Sequence, residues 1–223
     1  MSFTYAQRTS SHPFVDAVWR GQAYSDEPYW VSADGCWDII FARAVDGKTR
    51  AFISGPMTQA ELVSQPVGTE LIGVRFKPGS FIPSLLPGNM VDTRVELGDS
   101  STKRFWLEGV SFDTPDYGNA EDCVHKLVRL GLLYRDAVVA EVLAGHSQDV
   151  TTRTLQRHFI NTAGLSAGFI DQIQRAQQAE RLLSTGETIS SVAQLAGYAD
   201  HAHMTRSFKR IVGRTPSELL NAG

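Results

Sequence analysis

The sequence is short of cysteine and of long apolar runs, its first 100 residues are short of histidine, and each shortage excludes a class of protein. Only Cys36 and Cys123 occur in 223 residues. They form neither a CxxC pair nor a dense framework, so a disulfide scaffold and a cysteine-rich zinc site are not expected. No stretch approaches the roughly 20 apolar residues that a bilayer-spanning helix needs. The first residues, MSFTYAQRTSSHPF, lack the basic-then-apolar layout of a signal peptide. A cytoplasmic protein with no membrane partner is expected. Within the first 100 residues the only histidine is His12. A metal-dependent barrel enzyme needs several histidines with a carboxylate. A Gly-rich phosphate loop, a G-x-S-x-G elbow and an HExxH pair are also missing. The expectation is a protein that is not an enzyme and takes no cofactor and no metal.

What is present is an ordinary globular composition with an uneven charge. Hydrophobic residues make up 42% and charged residues 20%, which argues against long disorder. The net charge of -3 divides unequally. Residues 124–223 hold 11 Lys+Arg and 8 Asp+Glu, a balance of +3, which leaves 10 against 16, or -6, for residues 1–123. An acidic half does not favour DNA, whereas a mildly basic one can bind it.

The two halves differ in texture. Up to about residue 100 the chain reads as short strands. These include Tyr29–Ser32, the apolar run CWDIIFA (36–42), RAFIS (50–54), Glu61–Ser64 and ELIGVRF (70–76). Asp34-Gly35 and Asp46-Gly47 read as hairpin turns. Strands so short and so punctuated by Gly and Pro predict a sandwich or barrel. Ser101–Glu108 is expected to form a short helix. Asn119–Leu133 follows as a helix with Val124, Leu127, Val128, Leu130 and Leu132 on one stripe, and Arg135–Gly145 as another. These helices either pack on the sheet or form a dimer interface. From Thr151 onward everything reads as helix, with Thr151 or Thr152, Ser166 or Ala167, Thr188 and Asp200 as N-caps. The long helix after Ser166 buries Ile170, Ile173, Ala176, Ala179, Leu182 and Leu183.

The most informative feature is an internal duplication. TLQRHFINTAGLS (154–166) and MTRSFKRIVGRTP (204–216) each carry an i,i+4 apolar pair, Leu155/Phe159 and Met204/Phe208. Each ends in a glycine five residues past the Phe, Gly164 or Gly213, and the two Phe lie 49 positions apart. The pairs dock their helices on a core and turn the intervening residues outward. On the first helix these include Arg153, Gln156 and Arg157; on the second, His201, Ala202, Thr205 and Arg206. Arg and Gln have the donor geometry to read guanine and adenine edges, while Ala202 can only touch a thymine methyl. Lys209, Arg210 and Arg214 lie further along and suit phosphates. Such a helix-turn-helix predicts double-stranded promoter or operator DNA as the partner. His201 and His203 stand at i and i+2 of a helix and do not face each other, which argues against a metal pair.

These residues resemble the AraC/XylS transcriptional regulators. The resemblance covers roughly residues 135–223 and is strongest in AGYADHAHMTRSFKRIVGRTP (196–216). It implies seven helices in about 100 residues, with two helix-turn-helix units bridged by one long helix, and base contacts from Arg153, Gln156, Arg157, His201, Ala202 and Arg206. One departure is the turn HSQDV after AVVAEVLAG, one residue longer than the usual pattern, which bears on the tilt of Arg153. More faintly, SADGCWDIIF (32–41), SGP (54–56) and GVRFKPG (73–79) resemble the sensor domain of one branch of that family. That resemblance implies an antiparallel, cupin-like β-barrel.

The fold class expected is therefore α+β in two domains. Residues 1–118 form a β-rich effector-sensing domain, 119–145 connecting or dimerisation helices, and 146–223 a double helix-turn-helix. Trp30, Trp37, Phe52 and Arg75 are the candidate effector contacts, although the aromatic residues also suit a core and Arg75 also suits pairing with Asp34 or Asp38. Cys36 reads as a buried thiol in preference to a redox sensor. The function expected is a sequence-specific transcriptional regulator, with a small-molecule effector and a homodimer as further partners. The alternative is a small-molecule binding protein whose helical half no longer binds DNA. A DNA-repair enzyme with a reactive Cys36 lacks the companion cysteines it would need.

Overall fold

The computed structural model describes residues 2–98 and 100–221. The front half is built on a six-stranded antiparallel sheet. Its strands, in spatial order, are β1 (Phe3–Thr9), β2 (Val15–Ala23), β7 (Glu70–Phe76), β4 (Trp37–Arg43), β5 (Thr49–Ser54) and β9 (Arg94–Leu97). Alternation along each strand decides which side chains go inward. Val18, Trp37, Ile39, Phe41, Ala51, Ile53, Val74 and Phe76 share one buried face. Helix α1 (Ala120–Arg129) covers that face with Ala120, Cys123, Val124 and Leu127. A hairpin of β10 (Arg104–Leu107) and β11 (Val110–Asp113) adds Phe105, Leu107 and Phe112.

Two smaller ladders complete this half. β3 (Tyr29–Val31) pairs with β6 (Glu61–Val63), and β8 (Ser80–Phe81) pairs with β12 (Tyr134–Arg135). The α+β organisation matches expectation, with one refinement. Among the described residues β1 and β9 remain the two edges of the large sheet, so the sheet does not close into a barrel. Helix α1 and the β10–β11 hairpin bury its core face, and no curling of the sheet onto itself is needed there.

Two local expectations fail for identifiable reasons. Ser101–Glu108 is not a helix, because Phe105 and Leu107 point in while Arg104 and Trp106 point out, the period of a strand. The helix expected to run to Leu133 stops at Arg129, since Gly131 takes a left-handed φ of 66° and turns the chain. Leu130 is consequently 45% exposed instead of lying on the stripe.

The back half is helical. It comprises α2 (Ala137–Leu143), α3 (Thr152–His158), α4 (Ala167–Ser184), α5 (Ile189–Leu195), α6 (His201–Val212) and α7 (Pro216–Asn221). Asp136, Thr151, Ser166, Thr188 and Asp200 each cap a helix N-terminus by accepting from backbone N–H groups. Among the described residues these six α-helices and the π-helical turn Phe159–Ala163 follow Arg135, whereas α1 belongs to the front core. Helix α4 runs through the second core with Ile170, Ile173, Ala176, Ala179 and Leu183 buried. Ala33, from the front half, is buried in this same core, and Met57 and Val91 pack against it.

Candidate nucleic-acid interface

The duplicated motif folds twice into the same device. Phe159 and Phe208 are buried in the second core with Met204, and Leu155 is half-buried against it. Gly164 and Gly213 end their helices at φ 78° and 85°, a conformation open to glycine at little cost. The apolar pairs fix the rotation of each helix, and so decide what faces outward. Arg153, Gln156 and Arg157 are exposed along α3. His201, Ala202, Arg206 and Lys209 are exposed along α6. Among the described residues, no hydrogen bond or ion pair ties down the side chains of Arg153, Gln156, Arg157, Arg206 or Lys209.

Two of the expected DNA residues are placed differently. Thr205 is half-buried, and its hydroxyl donates back to the His201 carbonyl at 2.9 Å, so the donor is used within the helix. Arg210 donates from Nε to the Thr58 carbonyl at 3.1 Å, and its guanidinium lies 4.7 Å above the Phe169 ring. That arginine belongs to the junction with the front half. His203 packs edge-on against Tyr198, with ring centroids 5.4 Å apart, while His201 stands free on the first turn.

The two units are not identical. Residues 144–151 separate α2 from α3, whereas residues 196–200 separate α5 from α6. The first unit also continues from α3 into a π-helical turn, Phe159–Ala163, which the second lacks. A residue outside the expected set organises this unit. The Asp136 carboxylate accepts from the N–H groups of Val138 and Val139 at 3.0 and 3.2 Å. It also accepts from His158 Nδ1 at 2.6 Å and from the Thr162 hydroxyl at 3.1 Å. One carboxylate therefore caps α2 and anchors the end of α3. The sequence signal was an Asp directly before AVVAEVL, a standard N-cap position; its second task depends on contacts 22 and 26 residues away.

The four expected effector residues do not line one space. Trp37 lies in the front core, stacked on Phe76 at 3.9 Å, with its indole N–H donating to the Ser80 carbonyl at 2.6 Å. Arg75 points to the opposite face of the sheet, where its Nε stands 2.7 Å from Asp34 and 3.5 Å from Asp38. Asp38 also accepts from the Trp19 indole at 2.8 Å. Burial pushes the Asp38 carboxyl up to about 7, although Arg75 and Trp19 pull it down. Phe52 is half-buried on the same face as Asp38 and Arg75, and Trp30 packs against Gly213 of the helical half. A groove of about 800 Å³ lies at the sheet edge, lined by residues 46–50, 96–98 and 100–102, and reached by none of the four. Burial raises Cys36 well above the usual thiol range and Cys123 to about 12, so both remain protonated and inert.

This arrangement, two capped helices docked by matching apolar pairs with polar and basic side chains turned outward, defines the helix-turn-helix class. Residues 147–222 match the helix-turn-helix domain family. Residues 10–96 match a domain of unknown function, DUF6597. Over 70 residues the chain is 43% identical to the HTH-type transcriptional regulator RipA of Corynebacterium glutamicum. Over 73 residues it is 35% identical to RipA of Corynebacterium diphtheriae. These matches cover 31% and 33% of this chain, and the chain spans about a fifth of each relative, 21% and 22%. Among solved structures, unsaturated fatty acid bound ToxT from Vibrio cholerae superimposes with a TM-score of 0.41 at 13% identity, over 98% of this chain and 95% of that one. Apo ToxT K231A gives 0.39 at 12% identity, over 99% and 97%. No helix among the described residues is long and apolar enough to cross a membrane.

Proposed function

We infer that this chain is a sequence-specific DNA-binding transcriptional regulator that acts without catalysis. The observation that carries the reading is the duplicated helix with its outward polar and basic face. Arg153, Gln156 and Arg157 form one reading surface; His201, Ala202 and Arg206 form the other, and Lys209 meets phosphate. One chain then reads two successive major-groove segments of one DNA face. Residues 146–223 act as the DNA-binding domain, 1–118 as its controller, and 119–145 as the connection. A small-molecule effector, if the front half takes one, meets Trp30, Trp37, Phe52 and Arg75 at separate places, since these four do not line one space. Its place of action is the cytoplasm.

The test is a selection of bound sequences from random duplex DNA, run with wild type and with Arg206→Ala. An asymmetric motif of about two helical turns is expected. The variant should lose about 1–3 kcal/mol of specific affinity and relax its preference at one or two positions. An enriched motif that Arg206→Ala leaves unchanged would remove Arg206 from the reading surface. No enrichment in modest salt would point to a binding protein whose helical half has no DNA function.

A further inference from the structure

The two copies of the motif end in the same way, and the front half meets both at that end. A Cβ on Gly164 would stand 3.0 Å from Pro56 Cγ and 3.0 Å from the Pro87 carbonyl oxygen. A Cβ on Gly213 would fall within the indole of Trp30. Each glycine therefore serves the left-handed turn and also leaves room for a front-half residue. Gly88 makes a similar close approach to the Ile160 carbonyl in the π-helical turn.

At the second unit the front half also supplies hydrogen bonds that the helix cannot make for itself. The last four carbonyls of a helix have no intrahelical donor. The Ala60 N–H donates to the Arg210 carbonyl, and the Ala33 N–H donates to the Ile211 carbonyl, both at 2.8 Å. Arg210 returns a bond to the Thr58 carbonyl. A single segment, residues 55–60, thus touches both units: Pro56 meets the first, Thr58 and Ala60 the second. The outward faces of α3 and α6, with Arg153, Gln156, His201 and Arg206, stay exposed.

We propose that segment 55–60, together with Trp30, sets the separation and angle of the two reading helices, so that the front half determines which operator spacing is bound. This rests on the DNA-reading function proposed above. Helix α4 also bridges the units, through a buried apolar stripe, and the front half adds a second bridge at the C-terminal ends of both motifs. Backbone hydrogen bonds and close glycine contacts fix distance and angle together. Each base pair added between the two reading sites moves one of them by about 3.4 Å and about 35° around the duplex. A loosened clamp would let the helices follow such a change.

The experiment uses the full chain as wild type, as the double variant Trp30→Ala/Pro56→Ala, and as Ala60→Pro, which deletes one clamp donor. Binding is measured on duplexes carrying the two selected half-motifs at spacings up to about two base pairs either side of the wild-type optimum. Wild type should lose about tenfold or more for one base pair of misplacement, the size of a mismatched base pair. The variants should lose less than about threefold, with unchanged base preference within each half. A folded variant with the wild-type spacing profile overturns the proposal and leaves α4 as the spacer. If neither variant folds, hydrogen exchange on wild type decides: the Ala33 and Ala60 amides must be protected far beyond their loop neighbours, and exchange at open-loop rates overturns the proposal. A wild type that enriches no motif at all overturns the DNA reading itself, and the spacing proposal with it.

Discussion

Replacing Asp136 with Ala should destabilise the helical half. The side chain is 8% exposed and accepts four hydrogen bonds. Loss of an N-cap costs about 1 kcal/mol. The bond from His158, whose side chain is 32% exposed, contributes about 1.5 kcal/mol, the low end for a bond to a charged group. Thr162 keeps the His158 carbonyl as a second partner at 2.9 Å, so its share is only about 0.5 kcal/mol. Together these come to about 3 kcal/mol, a drop of about 6–12 °C in Tm for a chain of this size. Asp136→Asn retains an equally good cap and a neutral acceptor, and should lose only about 1 kcal/mol. Thermal and urea unfolding of the three proteins at pH 7 measures both numbers. The reasoning is refuted if Asp136→Ala stays within about 0.5 kcal/mol of wild type, or if Asn proves as damaging as Ala.

Three further outcomes follow from buried groups. Phe208→Ala empties a fully buried site under the second reading helix and should cost about 3–5 kcal/mol by urea denaturation; a loss below 1 kcal/mol would mean that the helix docks otherwise. The Arg8 guanidinium pairs with Glu121 through two oxygens and lowers its carboxyl from 4.5 to about 2. Because the folded value is depressed, the pair's contribution is complete above about pH 4.5 and fades as pH falls towards 2. The stability gap between wild type and Glu121→Gln should close over that window, and a constant gap would sink the assignment. Asp38 shows the opposite sign: burial raises it from 3.8 to about 7, so its ionisation penalises the fold increasingly as pH rises between those values. Asp38→Asn should compare more favourably with wild type at pH 8 than at pH 5, and an equal loss at both pH values would contradict this.

Much of the helical half was legible because its signals are local. Caps at Thr151, Ser166, Thr188 and Asp200, left-handed glycines at 164 and 213, and the i,i+4 pairs each act within one or two turns. They place the outward residues of α3 and α6 without reference to anything distant. In the front half the period-2 runs marked CWDIIFA and ELIGVRF as strands. The same alternation in RFWL spans four residues, too few to separate one period from the other.

The structure disperses the candidate effector residues for a different reason. An aromatic residue on a strand looks the same whether it fills a core or lines a cavity, and strand order alone put Trp37 on the core face and Arg75 between two aspartates. The duplicated helices, their caps and their exposed basic faces were determined by the sequence itself, through contacts a few residues apart. The open sheet, the double duty of Asp136, the withdrawal of Arg210 and the grip of residues 55–60 on both helix ends were decided only by the tertiary structure. The bonds from His158 to Asp136 and from Arg210 to Thr58 join residues 22 and 152 positions apart. Partners at such separations carry no periodicity along the chain, so only packing can reveal which groups meet.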